Sequence, residues 1–465
     1  MRLSSLLKTA TVTGATLLGL VVAPVTTASA SPATFVPCAS QGAGLVAAIT
    51  SANVAGGTIN LAAWCTYSLT GPNLPINPNP MIGANGLPAV MNQITINGFN
   101  TTITGNPASA TPFRIFEVDG PGGNLTLQGL SITGGSSSSI GGAIVNNAGT
   151  VTLNHSQVTG NTAVDAGGGI ASGNLGKSTA LLGTLTLNSS KVNNNTVSGA
   201  PMAPNSGGGI VDKSSTVVLN ASQVNWNTAA GSAGGISNVG GAVSLNFSQV
   251  NNNTSQNGGG GIASGNGMGG AGPPPLGTLN LFFSQVNNNT SNGGPMAGAG
   301  GIASGGNATI TLSQVNGNSA PGASGGGILN HGTMTINLSQ VNNNTTPTDG
   351  HGDPGFGGGI ANLDFTTILT PPPATSGVLT VNWTQISNNS ASGVGGGIVE
   401  SDGTGTLPGN TLALNGSLLT GNSAPGGGGG IYAILGSPVT LKFTLVAKNA
   451  PDNCEPLNTI GGCFN

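Results

Sequence analysis

SQVNNNTSQNGGGGI, residues 248–262, returns in close copies down most of the chain, as SQVTGNTAVDAGGGI from Ser156 and SQVNGNSAPGASGGGI from Ser313. A phrase that recurs at a near-constant period restricts a chain to repeat architectures. Each copy is one small unit that cannot bury its apolar face alone, so successive units must stack. Aligned on the Val of SQV, the register runs from Ile132 through Val158, Val192, Val224 and Val250 to Val446, with shortest steps of 26 residues. The Ile that closes each glycine run keeps the same beat, most often 12 residues after the Val, as in Val158 to Ile170 and Leu419 to Ile431.

Within the unit the pattern is that of strands. Five residues before each Val stands another apolar residue, and around it the chain alternates, as in Thr184-Leu185-Thr186-Leu187-Asn188. Alternation marks a strand with one buried face. Each unit therefore holds three short strands, around TLTLN, QVN and GGI. Helical solenoids are excluded by composition, because Gly, Thr, Asn and Val are poor helix formers and suit strands and turns. Stacking the turns in parallel gives an all-β, single-domain parallel β-helix of roughly twelve turns, about 58 Å long at the usual strand spacing.

The polar columns read as the scaffold of that stack. Three residues after Val stand Asn161, Asn195, Asn227, Asn253, Asn289, Asn318, Asn344, Asn389, Asn422 and Asn449. Asn tolerates the left-handed conformation of a sharp corner, and stacked amides can hydrogen-bond from turn to turn. A Ser/Thr column lies two residues before Val, from Ser156 to Thr444. Glycines ahead of the Ile are read as tight backbone turns. His155, with Phe247, Phe283, Leu338, Trp383 and Phe443 at the same register position, is read as a packed corner stack.

Charge narrows the function classes. Charged residues are 4% of the chain, against roughly 25% in ordinary soluble domains. That leaves no clustered Lys and Arg for nucleic acid. Residues 1–30 read as a signal peptide, with Arg2 and Lys8, an apolar run from Ala15 to Val25, and Ala28-Ser29-Ala30 as a small-residue cleavage site. The remainder is expected to be secreted, weakly acidic and without a membrane span. Four cysteines allow three pairings. In an exported chain we expect local pairing at each end, Cys38 with Cys65 and Cys454 with Cys463. The domain plan is an amino-terminal cap with leading strands over 31–93, repeats over 94–449, and a carboxy-terminal cap over 450–465.

The pair V-x-x-N and G-G-[AG]-I, as in Val158, Asn161 and Gly168-Gly169-Ile170, resembles the FxxN and GGAI repeats of chlamydial polymorphic outer-membrane proteins, with Val, Ile or Leu in place of Phe. The resemblance covers about residues 94–449. It implies a right-handed parallel β-helix of the pectin-lyase-like type and, more weakly, an adhesin-like role. The segment Leu45–Ile49, Ala52-Asn53 and Gly56–Leu61 is similar to the amino-terminal cap of secreted proteins of that superfamily. The long alternating strands of an outer-membrane barrel are missing, so anchoring and autotransport are not implied.

Related β-helices include polysaccharide lyases and glycosidases, which need carboxylates gathered around one bond. The acidic residues here fall mostly in loops and at ends of the repeat register. The best local cluster is Asp349-Gly350-His351-Gly352-Asp353, whose Gly-His-Gly resembles one polygalacturonase element. The paired-Asp and Arg-x-Lys elements are absent, and the segment lies in an insertion between Val341 and Ile360. Asp349, His351 and Asp353 are thus the catalytic candidates, and a solvated turn is the competing assignment. His331 reads as a solvated turn. No cofactor is expected beyond a Ca²⁺ at Glu400-Ser401-Asp402, where two carboxylates fall short of about six to eight oxygen ligands. Insertions after Ile170, Ile262, Ile360 and Ile398, two carrying Pro273-Pro-Pro275 and Pro371-Pro-Pro373, should gather at one corner. The expectation is a secreted, non-catalytic interaction protein, adhesin-like, for an extracellular polysaccharide or protein. The alternative is a lyase or glycoside hydrolase acting on a pectin-like polymer.

Overall fold

A computed structural model describes residues 33–73, 82–175, 182–199, 206–265, 277–294, 298–363, 377–401, 410–434, 437–456 and 460–465. Residues 1–30, read as a signal peptide, and the four insertions with their proline runs lie outside the described residues.

The fold is a right-handed parallel β-helix. One rung contains a strand at Thr150–Asn154, a second at Gln157–Thr159, a third of two residues at Thr162–Ala163 and a fourth at Ile170–Gly173. Each pairs in parallel with its copy on the next rung in an unbroken register, Val151 with Leu185, Val158 with Val192, Thr162 with Thr196 and Ile170 with Ile210. The fourth strands form a sheet of twelve, from Phe116–Asp119 to Cys454–Glu455. The sequence accounts for three of the four strands. The Thr162–Ala163 strand has only two residues, too few to show an alternation.

Leu153, Val158 and Ile170, one from each longer strand of that rung, are fully buried, and their columns form a single core along the stack. Helix α1 (Gln41–Ala55) covers the amino-terminal end, burying Leu45, Ala48, Ile49 and Ala52. Disulfides join Cys38 to Cys65 beside it and Cys454 to Cys463 at the other end.

From Ser156 to Asn449, polar side chains close two corners of each rung. At one, Asn227 accepts at Oδ1 from the N–H and Nδ2 of Asn195 (2.9 and 3.1 Å) and donates from Nδ2 to the Val192 carbonyl and to Asn253 Oδ1 (2.9 and 3.0 Å). Both donors and both lone-pair sites are used. The same side-chain bond links Asn161, Asn195, Asn227, Asn253, Asn289, Asn318, Asn344, Asn389, Asn422 and Asn449 in turn, at 2.9–3.1 Å. At the other corner, Ser190 Oγ accepts the Ser156 N–H at 3.1 Å and donates to the Asn188 carbonyl at 2.8 Å.

Each inward residue follows one with positive φ, and this corrects the sequence reading in two places. The left-handed residue beside the amide ladder stands two residues after Val, not three: Asn194, Trp226, Asn252, Asn288, Asn343 and Asn388. The His155 column is left-handed as well, with φ of 49–51° at His155, Phe247, Leu338 and Trp383, and it lies outside the core. His155 points to solvent, Phe247 is 61% exposed and Trp383 66%.

The glycine runs are explained mainly by space. A Cβ on Gly168 would stand 2.4 Å from the Gly208 carbonyl oxygen of the next rung and 2.5 Å from that of Thr196. Only the leading glycine of this run, Gly167, needs a positive φ, 63°.

Candidate functional site

The catalytic candidates form a loop closed on itself. Asp349 is half-exposed, and its Oδ1 accepts the backbone N–H groups of His351 (2.8 Å) and Asp353 (3.0 Å). The bond from Asp353 is the main reason its carboxyl lies below the usual carboxylate range. His351 and Asp353 are exposed. The loop is a local turn whose own amides occupy its acid, and no group of three or more His, Cys, Asp or Glu among the described residues could hold a metal.

Two carboxylates that the sequence reading assigned to loops stand instead in one inward column. The position two residues after the closing Ile of each glycine run holds Asn146, Ser172, Asp212, Asn238, Ser264, Ser304, Asn330, Asn362 and Glu400 in successive rungs. Asp212 and Glu400 are both fully buried, and six rungs separate them, about 29 Å. They cannot act on one bond. Glu400 accepts from Asn362 Nδ2 at 2.8 Å, so its carboxylate faces the stack and not a Ca²⁺ site. Asp402 lies outside the described residues.

Asp212 is an acid in an amide position. Asn146 and Asn238 each use Oδ1 to accept an N–H three residues on, and Nδ2 to donate to the first residue of the next rung's strand, Thr184 or Thr278, at 3.0 Å. Asp212 Oδ1 accepts from the Ser215 N–H at 2.8 Å. Its Oδ2 replaces the donating nitrogen and has no partner among the described residues. Burial pushes its pKa up to about 7, against the opposing effect of the bonds from Ser215.

A second buried polar group lies near the amino-terminal end. The Arg114 guanidinium is fully buried and donates to Asn85 Oδ1 (2.6 Å) and to the Gly83 and Ile140 carbonyls (3.2 and 3.3 Å). Asn85 in turn donates to Glu117 Oε2. Desolvation lowers the Arg114 pKa to about 10, with the charge of Glu117 acting the other way. With every member buried, this network braces the first rungs and offers no surface to a substrate. His331, read from sequence as solvated, is half-buried, with Nδ1 2.8 Å from the Leu363 carbonyl oxygen, and burial lowers its pKa.

The outstanding surface feature is the column read from sequence as a packed corner stack. From Phe247 the corner residue is Phe283, Leu312, Leu338 and Trp383 on consecutive rungs, all exposed. The Phe247 and Phe283 rings stack with centroids 5.3 Å apart and planes 8° apart, and Phe282 meets both edge-on. A signal for exposure was present in the sequence. Core columns hold Leu, Ile or Val at nearly every rung, whereas this one accepts Ser189, Ala221, Gly416 and Trp383. A position indifferent to volume from glycine to indole is not packed.

A scan against protein-family models finds no match, so the likeness to polymorphic outer-membrane proteins rests on the two-part motif alone. A search of curated proteins finds no match either. Among solved structures, the crystal structure of the periplasmic alginate epimerase AlgG matches with a TM-score of 0.30 and 9% identity, over 83% of this chain and 76% of that chain. The β-helix described here stands on its own strand register.

Proposed function

We propose that this chain is a secreted, non-catalytic β-helix that presents an uncharged, periodic surface to an extracellular partner, in the manner of an adhesin. The observation that carries this reading is the disposition of the carboxylates. Asp212 and Glu400 are sealed inside the stack six rungs apart, and the acid of the Asp349 loop is occupied by its own backbone. What the rungs display outward is a succession of amides, hydroxyls and apolar corners. Two disulfides support an oxidising compartment, and no helix among the described residues is long and apolar enough to cross a membrane.

The test is an assay of the purified chain against pectin, polygalacturonate and neutral plant and microbial polysaccharides, with and without Ca²⁺. Both pull-down and the release of reducing or unsaturated ends are measured. Binding with no new ends is expected. Release of ends that disappears in Asp349→Ala or His351→Ala would overturn the non-catalytic reading and favour the lyase or glycosidase alternative.

A further inference from the structure

Bulky apolar residues at the corner before SQV are unfavourable twice over. Their φ values of 46–51° are left-handed, a conformation that costs an L-residue roughly 1–2 kcal/mol and suits Gly or Asn. Their side chains also remain in water, with Phe247, Phe283, Leu338 and Trp383 between 47% and 66% exposed. Stability alone would select against them, yet five consecutive rungs carry one. Gly416 on the following rung gives a further indication. A Cβ there would meet three atoms of the Trp383 ring at 2.5, 2.6 and 2.7 Å. Such near-equal distances place the indole over the glycine, and the side chain remains 66% exposed.

The flanks of the column are neutral and periodic. On one side Asn382 donates to Asn337 Oδ1, and Asn415 to Asn382 Oδ1, at 2.8 Å. On the other, Gln249, Gln285, Gln314, Gln340 and Gln385 pair rung to rung. From Phe247 to Trp383 no charged residue occupies the corner or either flank.

We propose that this corner is a binding track for an uncharged polysaccharide, whose chain lies along the stack with the apolar faces of its sugars on the rings and its hydroxyls on the flanking amides. The assignment rests on reading the chain as a non-catalytic interaction protein and names its ligand class. The track is one side chain wide and about 19 Å long, four strand spacings. That shape fits a linear polymer rather than a protein, whose stable interfaces cover about 800 Å² per partner. The strand spacing is close to the advance per residue of an extended sugar chain, so successive sugars meet successive rungs. A polyanion would find no counter-charge here, whereas a neutral polymer loses nothing by its absence.

The experiment is affinity electrophoresis of the purified chain in native gels containing hydroxyethylcellulose, glucomannan or polygalacturonate, with sedimentation velocity in parallel. Retardation by a neutral polymer is expected to persist in about 0.5 M NaCl, where exposed charge pairs are screened. The double variant Phe283→Ala/Trp383→Ala should bind about tenfold more weakly or worse. Trp383→Phe should keep most of the affinity, and Trp226→Ala, an exposed ring at the other left-handed corner, should bind as the parent does. Circular dichroism checks that each variant is folded. Failure of every neutral gel to retard the parent, or retardation confined to polygalacturonate and abolished by salt, overturns the proposal. So does a dimer that the double variant abolishes, which would give the track to a second copy of the chain. Neutral-polymer binding that survives the double substitution removes the track and leaves the interaction reading standing. Release of reducing ends in any gel removes the non-catalytic reading itself.

Discussion

The two left-handed corners of each rung are built on the same device and filled with opposite chemistry. In both, an exposed residue with positive φ is followed by an inward polar side chain that accepts a backbone N–H from the preceding rung. After the Val, the exposed position holds Asn194, Asn252, Asn288, Asn343 or Asn388, a glycine such as Gly160 and Gly317, and on two rungs Trp226 or Lys448. Before the Val it holds Phe247, Phe283, Leu312, Leu338 or Trp383. The backbone demand is equal, so the difference is not dictated by the turn. One corner follows conformational preference on every rung but those of Trp226 and Lys448, and the other departs from it over five consecutive rungs where it faces solvent.

The largest expected effect lies on the inward side of that comparison. Asn253→Ala removes an amide that bonds to four groups and leaves the Asn227 N–H and one of the two Nδ2 hydrogens without an acceptor. With each stranded buried polar group costing about 1–3 kcal/mol, a loss of at least about 3 kcal/mol is expected. Ser248→Ala removes one hydroxyl at the facing corner and should cost about 1 kcal/mol. Denaturant unfolding of both variants checks the ranking, and equal losses would show that the two corners are stabilised alike.

Asp212 sharpens the same contrast, because it puts an acid where the repeat wants an amide. Its pKa rises from 3.8 to about 7 on folding, so between those values the folded chain holds the extra proton. Unfolding free energy therefore falls as pH rises from about 4 to about 7. Asp212→Asn should flatten that slope and stabilise the chain above pH 7 by roughly 2 kcal/mol or more. Melting temperatures across pH 4–8 test it, and parallel curves for variant and parent would refute the assignment.

The smallest effects come from exchanging the two exposed corners. Asn343→Leu should destabilise by about 1 kcal/mol, and Leu338→Asn should stabilise by a similar amount. Opposite signs support the view that only one corner is chosen for its backbone. Two losses would mean that Leu338 packs to a purpose despite its exposure.

The architecture is legible in the sequence because a parallel stack repeats its physical environment. Val158, Val192 and Val224 occupy equivalent sites, so the period survives insertions of different length. The location of the turns is less legible by one residue: Asn194 and Asn195 are both asparagine, and composition does not say which bends and which bonds. The exposed corner is hidden by a different ambiguity, since Phe and Trp in register resemble a core column until the tolerance of Gly416 and Ala221 is weighed. Asp212 and Glu400 escape because Asn, Ser, Asp and Glu alternate in their column, and only strand pairing shows that it points inward.

The central claim is that the apolar corner is not there for stability. Denaturant unfolding of Phe247→Asn/Phe283→Asn/Leu338→Asn/Trp383→Asn against the parent tests it most directly. Unfolding free energy is expected to be unchanged or higher, by about 1–4 kcal/mol as four left-handed positions gain a residue suited to them. A loss of several kcal/mol would contradict it and return the column to the scaffold.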